Sequence, residues 1–487
     1  MASSITICLN HWKFWAQVTV NNEVPMNNQE HQPHNHGKVG KYIPMFHEED
    51  EIISQIYIIE KDTPGYHVCR LEHVCVEPNK TILYTKSEKA TQILETRFNK
   101  KCYKKKKHRK KSNNSYSGSK NNGENSLNLL DRKFCDCFSY SAPYSFQHET
   151  PATKVATIFN ATPTYLVYNW LPHHHLSHFA FSTVNLHSIL QHNVFYALPA
   201  FKSILFQDLP PDGFTAYERG IWDIIMHGGR LAAVESVEFL RRVGGDDRER
   251  KCFTRLYSST QSETYAQSPA DLAVFRTTAE RVLGLDITRR QCPPSRALIL
   301  VRDKNNSRSR TIVNLWHVQK LLAAKGITQI DTRNMSGSMT LAEQAAAISQ
   351  YGLIISSHSS QLTNLLFAHT HAAVMELGVV YKRGFRHLGR MAGLRYVNSV
   401  GHKPERVGYG YRGLYPRLLR ECNFTRMGMG DVEEEEGEGK GCALTRREVE
   451  AMKNSDYRVN LEFFERDLDS VLEFLERKCF RSAGWIL

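Results

Sequence analysis

Between Arg296 and Gly401 the chain alternates short apolar runs with segments of helical spacing. ALILVR (297–302) is a continuous apolar run of the kind a strand covered on both faces requires. TIVNLWHVQKLLAAKG (311–326) repeats its apolar positions at helix spacing and stops on Gly326. ITQID (327–331) predicts a strand, and LAEQAAAISQYG (341–352) a helix with Thr340 as its N-cap. LIIS (353–356), AAVMEL (372–377) and LRYVNSV (394–400) predict three more strands. QLTNLLFA (361–368) and FRHLGRMAG (385–393) predict the helices between them. Such alternation implies a parallel sheet covered on both faces.

The rest of the chain is less regular. Residues 1–50 are polar and His/Asn-rich and read as a mobile polar arm, followed by an N-terminal strand-rich segment, 51–98. Residues 99–128 run from lysines into Asn, Ser and Gly, a solvated low-complexity insertion. An aromatic, mixed region occupies 129–290, the regular pattern 291–422, and an acidic loop with a terminal helix 423–487. In that last part VEEEEGEGKG (432–441) reads as the loop, and a Phe and Leu stripe marks the packed face of the helix. A length of 487 residues leaves room for two or three domains.

Charge changes the picture little. The net charge is +13, but residues 100–111 carry nine Lys or Arg and no acid, and without them +4 remains. The basicity is local, and no spaced stacking aromatics accompany it, so a nucleic-acid-associated protein is a remote alternative. Eleven cysteines offer no paired CxxC spacing, and Cys135 and Cys137 form a lone CxC. Sequons start at Asn79, Asn113, Asn160, Asn305, Asn334 and Asn423, which permits a secretory protein without establishing one. Residues 4–20 are interrupted by His11, Lys13 and Gln17, and read neither as a membrane span nor as a clean signal peptide.

The candidate chemistry lies where strand 353–356 gives way to the next helix, at Ser356, Ser357, His358, Ser359 and Ser360. Carboxyl ends of strands in open α/β sheets are where ligands bind. A helix start there favours an anion, phosphate above all. Arg302 and Arg310 fall at neighbouring rims, with guanidinium groups suited to bidentate phosphate binding. Glu376 ends a strand of the same sheet, suited to ribose or sugar hydroxyls. Together they suit a nucleotide diphosphate carrying a polyol. The plainer readings are a rim histidine, a solvated strand end and surface ion pairs. HHHLSH (173–178) does not read as a zinc site, because three consecutive histidines cannot all face one metal.

These residues also resemble the catalytic domain of glycosyltransferase family 61. The resemblance rests on Arg302 ending a strand, Arg310-Thr-Ile-Val-Asn314, Leu-x-Glu-Gln at 341–344, Leu-Ile-Ile before His358, Leu362-Thr363-Asn364-Leu-Leu-Phe367 and Ala-Val-Met-Glu376-Leu. Gly393 before LRYV matches the short closing strand, CRLEHVCVEPNKTILYT (69–85) the family's cysteine-bearing strands, and HFAFSTVNLHSIL (178–190) its histidine-bearing segment. One departure stands out. The family usually has His-Gly-Ala-Gly, or His-Gly-Ala-Gln, where this chain reads His358-Ser359-Ser360-Gln361.

The resemblance implies a GT-B-like α/β fold, two Rossmann-like halves facing across a cleft. Residues 129–290 would be the acceptor side and 291–422 the donor side, with the C-terminal helix crossing back. It implies inverting transfer from a nucleotide sugar, a UDP-sugar, to a hydroxyl of a protein or glycan. Donor binding falls to Arg302, Arg310, Asn314, Ser357, His358, Ser359, Ser360, Gln361, Thr363, Asn364 and Glu376. His178 is the leading candidate base. No cofactor and no metal are expected, because neither the Asp pair at 246–247 nor Asp331 forms a DxD motif. The family works in the Golgi or endoplasmic reticulum lumen, usually behind a membrane anchor that this chain does not display. If glycine at 359 serves a positive φ or a close phosphate approach, serine there would loosen the site. An inactive member that binds a nucleotide sugar or glycan is therefore the alternative.

Overall fold

The computed structural model describes residues 41–44, 54–60, 67–77, 80–95, 144–148, 159–168, 176–192, 198–207, 214–227, 234–240, 250–259, 265–266, 268–287, 296–302, 310–335, 338–379, 384–405 and 455–482. Two sheets organise them. The first contains β1 (Lys41–Pro44), β2 (Gln55–Glu60), β3 (His67–Glu77), β4 (Lys80–Thr85), β5 (Tyr144–His148), β6 (Phe159–Asn160), β7 (Thr164–Tyr168), β8 (Ser203–Gln207), β9 (Ser236–Leu240) and β10 (Lys251–Ser259). Its main path runs β1-β2-β3-β10-β7-β8-β9. β10, β7, β8 and β9 are parallel, whereas β1, β2, β3 and β10 pair antiparallel. Helices α1 (Leu176–Gln191) and α2 (Ala216–His227) join β7 to β8 and β8 to β9, which makes a βαβαβ unit inside a mixed sheet. α3 (Pro269–Leu283) follows β10, capped by Ser268 and closed by Gly284 in the left-handed region.

The second sheet is wholly parallel: β11 (Arg296–Leu300), β12 (Gln329–Arg333), β13 (Leu353–Ser357), β14 (Ala373–Leu377) and β15 (Arg395–Ser399), in the order β12-β11-β13-β14-β15. Its connections are α4 (Leu315–Ala324), α5 (Leu341–Ser349), a 3-10 helix (Ser360–Phe367) and α6 (Gly384–Met391). α7 (Leu461–Ser482) ends the described chain, after the two-residue strands β16 (Lys403–Pro404) and β17 (Tyr457–Arg458). The strands read as unbroken apolar runs because both faces are buried. Leu298, Leu300, Ile354 and Val374 enter one core, and Ala297, Ile299, Ile355 and Met375 another. Thr340 and Glu343 form a reciprocal capping box at the start of α5, which accounts for the sharpness of that helix start.

The first of those cores also takes in Tyr165, Ile204 and Phe206 of the N-terminal sheet and the inner faces of α1, α2 and α3. The two sheets thus share one apolar interior within residues 39–487. Arg276 of α3 is fully within it and donates to the carbonyls of Ala392, at 3.1 Å, and Ala368. Burial pulls its pKa down to about 10.

Several expectations are corrected. The N-terminal half is a mixed sheet rather than a purely Rossmann-like one, because strands from 51–98 add to it antiparallel and belong to it. Lys41–Pro44, expected within the arm, pairs with β2. The helix expected from 311 begins at 315, because Thr311 to Asn314 are hydrogen-bonded to the chain around Tyr457 instead. QLTNLLFA winds as a 3-10 helix; Gln361 to Phe367 are buried throughout, with α1, α3, α5 and α6 packed around them. α7, expected to cross back, packs among the described residues on α4, β14 and β15, through Phe464, Leu468 and Val471. The insertion at 99–128, the acidic run at 432–441 and His173 to His175 lie outside the described residues.

Candidate functional site

Numbered within its own half, the second sheet has the order 2-1-3-4-5, with the chain leaving β11 towards β12 on one side and leaving β13 towards β14 on the other. At such a switch point the connections part and leave a crevice outside the carboxyl ends of the two central strands. Arg302 lies two residues past β11, half-buried, Ser357 ends β13 and His358 follows it. The predicted cluster from Ser356 to Ser360 therefore sits at the crevice.

His358 is the pivot of this rim. Its Nδ1 is hydrogen-bonded to Oε1 of Glu376, the next strand's end. The other carboxylate oxygen, Oε2, accepts from the Tyr396 hydroxyl at 2.5 Å. Glu376 is 4% exposed, so this carboxylate lies beneath the imidazole rather than open to ligand hydroxyls, which corrects its expected placement. A hydrogen bond of this kind fixes ring orientation and directs Nε2 to the side away from Glu376. Phe385 of α6 packs beside the ring, centroids 5.2 Å apart. Tyr396 reaches Glu376 because α6 carries Gly389 against it, where a Cβ would come within 2.4 Å of the tyrosine ring.

Arg310 does not open a helix. It is a buried loop residue with φ 45°, and its guanidinium donates to the His358 carbonyl. Its own carbonyl accepts from Ser357 Oγ at 2.7 Å. Ser359 precedes the 3-10 helix in an extended conformation, φ −150° and ψ 161°. The positive-φ reason for a glycine there therefore does not apply, and only close approach remains. Its hydroxyl is buried at the N-terminus of that helix, without a hydrogen-bond partner among the described residues. Ser360 is half-buried beside it.

The remaining predicted residues hold the rim together. Gln361 Nε2 donates to the Val301 carbonyl at 2.9 Å and to Asn334 Oδ1 at 3.1 Å, and its Oε1 accepts from the Met335 amide, so it bridges the ends of β11, β12 and β13. Asn364 donates to Gln344 Oε1 at 2.8 Å. Asn314 pairs both amide ends with the backbone of Val459. Thr363 is fully buried against Tyr265 of the N-terminal half. These four side chains serve the walls of the crevice.

His178 lies in the first turn of α1, half-buried, near Phe181. Phe181 stacks on Tyr265, centroids 3.7 Å apart, and Tyr265 faces Thr363. A chain of contacts thus links the predicted base to the 3-10 helix. Among the described residues no cluster of His, Cys, Asp or Glu could hold a metal ion.

Sequence reasoning missed Tyr396, Phe385 and Tyr457. Tyr396 could have been found from the period of two, because it lies opposite Val374, two residues before Glu376 and on the same sheet face. Tyr457 carried no signal at all, since it is brought to the rim from far along the chain.

A family model described as Glycosyltransferase 61 matches residues 45–375, more than half of the chain and parts of both sheets. No curated protein matches the chain.

Proposed function

The chain belongs to glycosyltransferase family 61, and on that premise we propose that it transfers a sugar from a nucleotide donor, a UDP-sugar, to a hydroxyl of a protein or glycan. The observation that carries this reading is the His358–Glu376 pair at the switch-point crevice, with Arg302 and Arg310 at the same rim. His358, the amides that follow it and the two arginines receive the diphosphate, and the buried Glu376–Tyr396 pair keeps the imidazole in place. The acceptor oxygen attacks the anomeric carbon, the bond to the donor phosphate breaks, and the diphosphate leaves with the electron pair. The acceptor proton passes to a general base, for which His178 is the candidate. Attack opposite the leaving group inverts the anomeric centre. The arginines and the turn supply the countercharge, so the reaction proceeds without a metal.

The architecture proposed is GT-B-like, with the acceptor bound by the N-terminal half. The Cys75–Cys252 disulfide favours an oxidising compartment, in keeping with the Golgi or endoplasmic reticulum lumen. No described helix is long and apolar enough to cross a membrane. The extended backbone at Ser359 weakens the case for an inactive member, which rested on the loss of glycine.

The test is thermal stabilisation of the purified chain by a panel of nucleotides and nucleotide sugars. UDP or a UDP-sugar should raise the melting temperature. Replacing His358 or Arg302 with Ala should weaken binding by about 1.5–3 kcal/mol, the range for hydrogen bonds to charged groups. Wild-type protein that no nucleotide stabilises would sink the reading.

A further inference from the structure

Residues 455–460 reach the donor rim from beyond the matched region, which ends at 375. They lie against 311–314 as a strap. Tyr457 donates its amide to the Thr311 carbonyl at 3.1 Å, and the Val313 amide returns to the Tyr457 carbonyl at 3.0 Å. The Thr311 amide donates to Asp456 Oδ1 at 2.7 Å. Asn314 closes the strap by accepting from the Val459 amide at 2.7 Å and donating to the Val459 carbonyl at 3.0 Å.

From this strap one side chain enters the site. Tyr457 is 2% exposed, and its hydroxyl lies 2.8 Å from Ser357 Oγ and 3.2 Å from the Leu377 carbonyl. Ser357 Oγ also donates to the Arg310 carbonyl, at 2.7 Å, so this serine stands between the Tyr457 hydroxyl and that carbonyl. The relay therefore joins Tyr457, Ser357 and the Arg310 carbonyl, and Arg310 in turn holds the His358 carbonyl. Arg310 occupies φ 45°, a backbone region that a side-chain-bearing residue adopts only when its surroundings impose it. The strap pairs with the residues that follow Arg310, and the relay meets its carbonyl.

We propose that Tyr457 is a positioning residue of the donor site, setting Arg310 and the His358 turn in the geometry that receives the diphosphate. The inference rests on the donor reading above and adds a C-terminal segment to that site. Tyr457→Phe removes one hydroxyl and keeps the ring, which stacks on His402 with centroids 5.9 Å apart.

The full-length chain is titrated with UDP by calorimetry. In Tyr457→Phe the dissociation constant should rise about tenfold, the loss of one hydrogen bond that orients a charged group. Ser357→Ala should match it, and Ser357→Thr, which restores the hydroxyl, should bring affinity back towards wild type. In an Arg310→Ala background, Tyr457→Phe should change affinity no further, because the residue acts through the arginine. Should Tyr457→Phe fail to fold, the Ser357 pair makes the same comparison. Wild-type affinity in both Tyr457→Phe and Ser357→Ala, alongside a loss in Arg310→Ala, overturns the positioning role alone. So does a further loss in the Arg310→Ala background. Wild-type protein that binds no UDP overturns the donor reading, and this inference with it.

Discussion

The two sheets are held by different means. In the N-terminal half, β3 and β10 pair over most of their length, and Cys75 and Cys252, directly opposed in register, are joined covalently. Around β8 and β9 of the same half, Phe179, Phe206, Phe214, Trp222 and Phe239 pack edge-on and stacked. The C-terminal half has no described disulfide. Its strands are aliphatic, and its carboxyl rim is tied by side-chain hydrogen bonds from Gln361, Asn314, Ser357, Glu376 and Tyr457. The contrast follows from what each must do. A covalent and aromatic framework resists unfolding, whereas a rim of oriented polar groups can hold an anion and depends on every partner being present.

The largest expected effect breaks the first region. Cys252→Ala opens a loop that the disulfide closes across 177 positions. It should destabilise the protein by about 2–5 kcal/mol, read as a lower urea midpoint. If the halves differ as described, UDP affinity of the folded fraction should stay at the wild-type level. A parallel loss of affinity would show that the N-terminal sheet sets the donor rim as well.

A middle effect comes from Gly389→Ala. The added methyl would meet the Tyr396 ring, pushing the hydroxyl off Glu376. The overpacking should cost about 1–3 kcal/mol of stability. It should also weaken UDP binding, because His358 loses its backing; calorimetry and a melt on the same sample separate the two. Reduced stability with unchanged binding would make Tyr396 a packing residue only.

The smallest stability change is expected for Ser359→Gly. Glycine adds flexibility, at a cost up to about 1 kcal/mol. Removing a buried hydroxyl without a partner among the described residues works in the opposite direction. The melting temperature should therefore barely move. UDP should bind more tightly if backbone approach is what matters at this position. Weaker binding would show that the Ser359 hydroxyl itself meets the ligand.

Much of the C-terminal half was legible because its signals are local. A strand buried on both faces must be apolar along its whole length, as ALILVR and AAVMEL are, and Thr340 with Glu343 marks a helix start by its own hydrogen bonds. The candidate turn was legible for the same reason, since hydroxyls and an imidazole ending an apolar strand can only lie at a rim. The N-terminal half was less readable. Its parallel unit is interleaved with antiparallel strands from a distant segment, and β3 pairs with β10 across a long stretch of chain.

Alone, the sequence determined which segments are strands and helices in 296–400, which end of that sheet is polar, and the family motifs found there. Those depend on each residue's neighbours along the chain. The tertiary structure alone decided what each polar group at the rim does. It put Glu376 under His358, gave Asn314 to the strap, turned Gln361 to the ends of β11 and β12, and brought Tyr457 to Ser357. A buried hydrogen bond pairs whichever donor and acceptor the fold brings together, and separation along the chain leaves no periodic trace of that meeting.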